Sequence, residues 1–409
     1  MRGMRNFGVA SGRDAVFAMP LEDIDPVDAE IFKNGTYLHH FERLRKEDPV
    51  HYCDRNEHGP YWSITKYNDI MYVDTNHALF SSEPTITYKT AFENPLPMFI
   101  AMDPPRHESR RKAVTPAFTG PNLKILEKLI RERVGQIMDS LPHNETFDWV
   151  DRVSIELTSQ MLATLLDAPA EDRRKLIHWS DIATSAEVFD ERRRKELLEC
   201  GEYFTRLWNE RVNASPRLDL ISMLAHGEAT RNMSPMEFLG NMVLLIIAGN
   251  DTTRNSMSGG VVAMHESPKE FEKLRADPAL VGNAVSEIIR WQTPLAYMRR
   301  TASQDVELRG KTIRKGDKVL LWYVSGNRDD EIIENPDAFL IERARARQHL
   351  SFGFGIHRCI GNRLAEMQLR IVWEEIIKRF RRIEVVAEPV RAPSSFANGY
   401  TSLSVRIAA

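Results

Sequence analysis

The stretch Ser351-Phe352-Gly353-Phe354-Gly355-Ile356-His357-Arg358-Cys359-Ile360-Gly361 stands directly before a strongly amphipathic run whose spacing predicts a helix from about Asn362 to Phe380. Its cysteine therefore sits where a loop becomes a helix. Free backbone N–H groups and the positive end of the helix dipole favour thiolate over thiol at such a position. Glycines at 353, 355 and 361 let the backbone take positive φ and approach a flat ligand closely. A loop of this kind can hold a thiolate against a metal; outside that setting a lone cysteine reads as a small packing residue. Other chemistries fail on spacing. A dinucleotide fingerprint needs glycine three residues after its second one, where Arg358 stands. Cys53 and Cys200 have no cysteine or histidine at zinc-ligand spacing, and His107-Glu108 and His265-Glu266 lead to Arg111 and Lys269 instead of a second histidine.

Outward from that loop, the chain of 409 residues is 42% hydrophobic and 28% charged, the composition of a soluble globular protein with a large core. Its 55 basic and 58 acidic residues leave a net charge of -3, so no global field draws it to nucleic acid or anionic lipid. Three cysteines, odd in number and far apart, argue against a disulfide framework and suit a reducing cytoplasm. The apolar run Ala15 to Met19 is too short for a secretory signal. Met242 to Gly249, the most hydrophobic run, falls well below the roughly 18–20 residues that span a bilayer. A cytoplasmic protein with no membrane anchor is expected. There is no repeat, low-complexity tract or Gly/Ser linker to mark an internal boundary.

Periodicity predicts a helix over 27–48 and a hairpin of His51 to Tyr52 with Tyr61 to Ile64 around Asn56-Glu57-His58-Gly59. Helices are expected over 106–118, 122–140, 148–167, 171–185, 190–212, 217–225, 235–265, 268–276 and 279–292. Strands are expected at Thr301 to Leu308, Thr312 to Ile313 and Lys318 to Tyr323, and a hairpin in the last thirty residues. The fold class is mainly α with a minor β region.

Phe352-x-x-Gly355-x-His357-x-Cys359-x-Gly361 resembles the haem-binding loop of the cytochrome P450 family. Three further segments resemble that family's signatures in its own order. Ala248-Gly249-Asn250-Asp251-Thr252-Thr253 places a glycine and polar residues inside an apolar helix, a locally unfavourable choice that marks a functional site. Glu287-Ile288-Ile289-Arg290 sets acid and base one turn apart, and Asn335 to Arg343 resembles the irregular segment whose arginine joins them. Asp103-Pro104-Pro105-Arg106-His107-Glu108-Ser109-Arg110-Arg111 puts His107 and Arg111 on one helix face, where two donors can bind one carboxylate. The resemblance implies a triangular helical haem protein with small N-terminal and C-terminal sheets, residues 27–409 forming a single haem domain after an extension over 1–26.

It further implies haem b, with Cys359 as the axial thiolate, Phe352, Ala248 and Gly361 against the ring, and His107, Arg111, Arg300 and His357 on its propionates. Arg299 is an adjacent substitute for Arg300. Asp251 and Thr252 match the family's proton-relay positions, and Glu287, Arg290 and Arg343 its structural triad. Thiolate ligation favours O–O cleavage. Dioxygen is then a substrate, and electrons come from a ferredoxin with its NAD(P)H-dependent reductase, since this length leaves no flavin or iron–sulfur module. Arg110, Lys112, Arg345, Arg347 and Arg358 are candidates for a basic dock on a monomer.

Phe99 to Pro105, Gly249 to Met257, Thr293 to Arg300 and the run from His349 to Glu375 look most like soluble bacterial alkane and fatty-acid terminal hydroxylases. That likeness implies a medium-chain linear apolar substrate hydroxylated at its terminal carbon, with Ile86, Tyr88, Leu96, Met98, Phe99, Leu295 and Phe396 in pocket-lining segments. An apolar slot discriminates weakly, about 1–3 kcal/mol per methylene. A terpenoid such as a linear monoterpene alcohol therefore suits the same residues. A peroxide-driven enzyme and a non-catalytic haem-thiolate sensor remain as other classes, and the intact Asp251-Thr252 pair speaks against both.

Overall fold

A computed structural model describes residues 9–54, 56, 58–90 and 92–407. The chain begins with α1 (Val9–Ala18), α2 (Ala29–Lys33) and α3 (Tyr37–Glu47). The single helix expected over 27–48 is thus two, because the chain turns at Gly35, which takes φ +71° just after Asn34 N–H closes α2 on the Glu30 carbonyl. Residues 1–8 of the expected extension lie outside the described residues. Within it, α1 packs along α3, where Arg13 makes two bonds to Glu42 at 3.0 and 2.8 Å, and the Arg43 guanidinium donates to the carbonyls of Val16 and Met19. These last bonds satisfy acceptors at the C-terminal end of α1.

The hairpin expected next is present as β1 (Val50–Cys53) and β2 (Tyr61–Ile64), with Val50 opposite Ile64. After α4 (Tyr67–Thr75) and β3 (Phe80–Ser81), helices take over: α5 (Arg106–Val114), α6 (Gly120–Asp139), then β4 (Thr146–Asp148), a π-helical turn at Val150–Ile155, and α7 (Glu156–Leu166). The expected 148–167 helix is therefore shorter. Next come α8 (Arg173–Thr184), α9 (Asp190–Val212), α10 (Leu220–His226), α11 (Pro235–Glu266), α12 (Pro268–Ala276) and α13 (Val281–Gln292). Ser234 caps α11 by accepting from Glu237 N–H at 3.2 Å, and Pro235 fills its first position. Apolar nearly all round, α11 must be buried. It packs against α7, α8, α9, α13 and the later α15 (Asn362–Arg379), through a core that includes Met242, Val261, Ile288 and Trp373.

Strands return as β5 (Met298–Ala302), β6 (Val306–Leu308), β7 (Lys311–Ile313) and β8 (Lys318–Leu321). The expected strand Thr301 to Leu308 is broken, since β5 joins a five-stranded sheet of order β1-β2-β8-β5-β3 while β6 pairs only with β7. The strand expected through Tyr323 stops at Leu321, because Tyr323 opens the short helix α14 (Tyr323–Gly326). The C-terminal hairpin is also corrected. β9 (Ile383–Val385) and β12 (Ser404–Ile407) flank each other in a sheet with β4, and β10 (Val390–Arg391) pairs with β11 (Tyr400–Ser402). The architecture is mainly helical with small sheets, the largest of which joins strands from the first hundred residues to β5 and β8. Among the described residues no helix is long and apolar enough to cross a membrane.

Candidate active site

The loop before α15 is shaped by its glycines. Gly353 and Gly355 both take φ +65°, and a Cβ on Gly355 would stand 2.8 Å from the carbonyl oxygen of Asp74. Side chains are excluded there by conformation and by contact. Cys359 N–H donates to the Phe352 carbonyl at 2.8 Å, folding the loop back on itself just before Gly361 opens α15. Cys53 and Cys200 are buried and Cys359 is accessible. Burial pushes the Cys53 thiol up to about 12 and the Cys200 thiol higher still. For Cys359 burial also raises the pKa, while the Gly361 N–H, Arg111 and Arg358 pull it down. Accessible surface and burial hold together where the residue faces a hollow that protein surrounds.

The middle of α11 tells the same story. Asn241 to Ile246 and Thr253 to Met264 are buried, yet Ala248 is exposed and Ile247, Gly249 and Thr252 are half-exposed. A hollow opens beside this one turn. Thr252 Oγ1 donates to the Ala248 carbonyl at 3.3 Å and Ser256 Oγ to the Thr252 carbonyl at 2.8 Å. Asp251 points elsewhere, toward α8. It accepts from Ser180 Oγ at 2.9 Å, Thr184 Oγ1 at 3.2 Å and Asn250 Nδ2 at 2.8 Å, and pairs with Arg254 at 3.1 Å. Arg254 also reaches half-exposed Asp181 at 2.9 Å, so a charged chain runs from the surface to the buried carboxyl. Burial outweighs Arg254 and lifts the Asp251 carboxyl above the ordinary range.

His107 on α5 and His357 in the loop face each other with ring centroids 4.2 Å apart, and none of their four ring nitrogens has a hydrogen-bond partner. Burial, then Arg111, pushes His107 down to about 4; burial, then Arg300, His107, Arg111 and His77, pushes His357 down to about 2. Arg111 donates to the Arg358 carbonyl, Arg300 pairs with Asp74 at 2.7 Å, and the buried Arg299 Nε has no partner. Unsatisfied buried polar groups cost about 1–3 kcal/mol each. Two such imidazoles beside Arg111 and Arg300 form a donor set suited to a ligand with carboxylate groups, and Cys359 adds a soft ligand for iron. The residues present therefore fit a haem.

Glu287, Arg290 and Arg343 are brought together, the first two buried and Arg343 half-buried. Arg290 binds Glu287 through Nε and Nη2, each at 2.8 Å, and Arg343 Nε reaches it at 2.9 Å. The remaining guanidinium N–H groups hold the carbonyls of Asn327, Asn335, Pro336 and Ala338, fixing the irregular segment that leads to the loop. The expected pocket residues divide into groups. Phe99 and Met98 pack on the main core, Leu96 packs with Leu197, Leu239 and Val243, and Leu295 bridges Ala397 beside Phe396. Ile86 offers its carbonyl to Arg299 N–H at 2.8 Å. The Tyr88 hydroxyl is committed to Asn56 at 2.6 Å and the Gly59 carbonyl at 2.7 Å, at the turn between β1 and β2.

One residue of this region, Asp74 at the end of α4, carries no signal in the sequence: its partners Arg300, Tyr323 and Phe354 stand more than two hundred positions later, and no local pattern announces it. Phe352 is half-buried beside His349, with ring centroids 5.2 Å apart.

The chain is similar over most of its length to proteins of one kind. It is 35% identical to the linalool 8-monooxygenase of Pseudomonas putida, over 89% of this chain and 94% of that protein. It is 32% identical to the methyl-branched lipid omega-hydroxylase of Mycobacterium tuberculosis, over 89% and 90% of the two chains. The structure of cytochrome P450-153 from Novosphingobium aromaticivorans superposes with a TM-score of 0.88 at 44% identity, covering 94% of this chain and 99% of that one. The cytochrome P450 pattern itself matches residues 143–390. With the family pattern matched over more than half of its length, the chain belongs to the cytochrome P450 family.

Proposed function

We propose that the protein is a ferredoxin-dependent haem-thiolate monooxygenase that hydroxylates a medium-chain linear apolar substrate, an n-alkane or fatty acid, at its terminal carbon. The observation that carries the haem assignment is the pair of partnerless imidazoles, His107 and His357, beside Arg111 and the Cys359 loop. In this reading Cys359 would hold the iron of haem b, His107, Arg111, Arg300 and His357 would hold its propionates, and Phe352, Ala248 and Gly361 would pack against the ring. When bound, the haem supplies the oxygen-activating chemistry that side chains lack. The chain's own residues place a C–H bond, exclude water and deliver protons. Asp251, whose raised pKa suits proton storage, is held by Arg254, which Asp181 anchors from the surface, and the Thr252 hydroxyl would turn from the Ala248 carbonyl to pass the proton on.

The terminal position is supported by likeness to the lipid omega-hydroxylase and by the apolar segments around Leu96, Phe99 and Leu295. A terpenoid substrate is the second reading, favoured by the likeness to linalool 8-monooxygenase. For the ferredoxin, Lys112, Arg345, Arg347 and Arg358 are exposed and form the dock; Arg110 drops out because Glu237 holds it at 2.7 Å. One experiment tests the whole reading. Purified protein is screened with alkanes, fatty acids and terpenes for haem spin-state shifts, and products are mapped with ferredoxin, reductase and NAD(P)H. Linear chains should shift the spectrum and carry their new hydroxyl at the end, and Cys359→Ala should abolish the thiolate-type ferrous carbonyl band. Shifts by terpenes alone would move the assignment to the second reading, and an unchanged band in Cys359→Ala would sink the axial role.

A further inference from the structure

Asp74 is a buried carboxylate on α4 that no catalytic role so far accounts for, with 2% of its surface exposed. Its oxygens gather donors from three distant parts of the chain. Arg300 Nη2 of β5 donates to Oδ1 at 2.7 Å; Phe354 N–H, inside the cysteine loop, and the Tyr323 hydroxyl of α14 donate to Oδ2 at 2.7 and 3.0 Å. The Asp74 backbone carbonyl is also the atom that forbids a side chain at Gly355. Arg300, itself 2% exposed, spends another N–H on the Arg299 carbonyl at 2.9 Å. One carboxylate thus balances the most buried cation of the propionate-binding cluster and pins the loop that carries Cys359.

Resting on the haem reading above, we infer that Asp74 is a positioning residue that sets both the net charge beside the haem propionates and the register of the Cys359 loop. The charge around it is lopsided: Arg111 and Arg299 lie in the same region as Arg300, while Asp74 directly pairs with Arg300 and Asp103 is occupied by Ser81 and Ser82. Removing the Asp74 charge leaves Arg300 balanced only by the propionate it would hold, in a medium of low dielectric where a unit charge acts strongly over several ångströms. The added net positive charge disfavours ferric over ferrous iron. The same substitution leaves Phe354 N–H without a charged acceptor, and groups behind a metal's own ligands commonly tune it in this manner.

The test uses the holoprotein and reads the ferric–ferrous reduction potential and the ferrous carbonyl spectrum. Asp74→Asn should raise the potential and increase severalfold the fraction of protein with a neutral-thiol carbonyl band. Arg300→Gln should lower the potential, and the double variant, neutral at both positions, should return it toward the wild-type value while the band stays altered. Tyr323→Phe, which keeps the charge and the Phe354 bond, should leave the potential in place. A potential in Asp74→Asn at or below that of the wild type overturns the inference. If Asp74→Asn takes up no haem, uptake by the double variant upholds the charge pairing and continued failure overturns it. A wild-type protein without any thiolate band would instead defeat the haem-thiolate reading itself, a distinguishable result.

Discussion

Glu287 has no exposed surface, and every acceptor position of its carboxylate is used by Arg290, Arg343 and the Leu340 N–H. Taking a carboxylate out of water repays its desolvation only while all of those donors stay in place. Glu287→Ala strands two guanidinium groups and should cost about 3–5 kcal/mol, read as a lowered urea midpoint. A loss below 1 kcal/mol would mean that the irregular segment holds without the triad. Asp251 gives the opposite case, a carboxyl whose burial costs more than its partner returns. Its folded pKa lies above the ordinary value of about 3.9, so folding favours the protonated form. The stability it adds is complete below that ordinary value and is lost as pH rises through the raised one. Among the groups facing it, Ser180, Thr184, Asn250, Arg254 and Asp181, Arg254 pulls the other way, followed by the Ser180 and Thr184 hydroxyls, while Asp181 acts with burial. Asp251→Asn removes the titration. The stability of wild type relative to variant should therefore fall as pH increases from about 4 toward neutrality. Urea titrations at constant ionic strength check it, and a relative stability that climbs over this interval would put Arg254 ahead of burial.

Between elements, the segment before α5 lies tightly against α11. A Cβ on Gly240 would stand 2.2 Å from the Pro97 carbonyl oxygen and 3.3 Å from Leu96 Cβ, while Asn241 accepts from Phe99 N–H at 2.9 Å. Gly240→Ala must push the Leu96–Phe99 segment off the helix, at about 1–3 kcal/mol by the usual cost of overpacking. Thermal unfolding should show that loss together with an altered chain-length preference, and an unchanged preference would remove Leu96, Met98 and Phe99 from the pocket wall. The long helices were legible in the sequence because each carries a stripe or a full coat of apolar residues, as α6, α11 and α13 do. What periodicity missed was decided elsewhere. Gly35 split a continuous helical pattern, Tyr323 opened a helix where its residue type suits a strand, and β12 found β4 instead of its nearest neighbour. The cysteine loop was legible down to Gly355 and His357, since a strained turn restricts residue types locally. Asp74 was not, because a carboxylate at the end of an ordinary helix acquires meaning only through Arg300 and Phe354.

Across the whole molecule, the balance of charges hides a local asymmetry. Lys112, Arg345, Arg347 and Arg358 are exposed, and a partner that meets them electrostatically should associate more slowly as salt rises. Reversing Arg345 and Arg347 to Glu should cut ferredoxin-supported turnover at low salt by about tenfold or more and flatten its salt dependence, with the carbonyl spectrum unchanged. Salt dependence identical to wild type would place the dock elsewhere. The sheet that ties β4 to β12 pairs Thr146 with Arg406. Contacts between positions so distant in sequence pay loop-closure entropy before they return any stability, and they slow folding. At a synthesis rate of about 5–20 residues per second, β4 waits roughly 13–50 s for β12 to be made. For much of that interval the nascent chain already exposes the apolar faces of α6 and α11 without α15, which packs on both, and this makes the ribosome-bound state the stage at which this protein is most prone to aggregate.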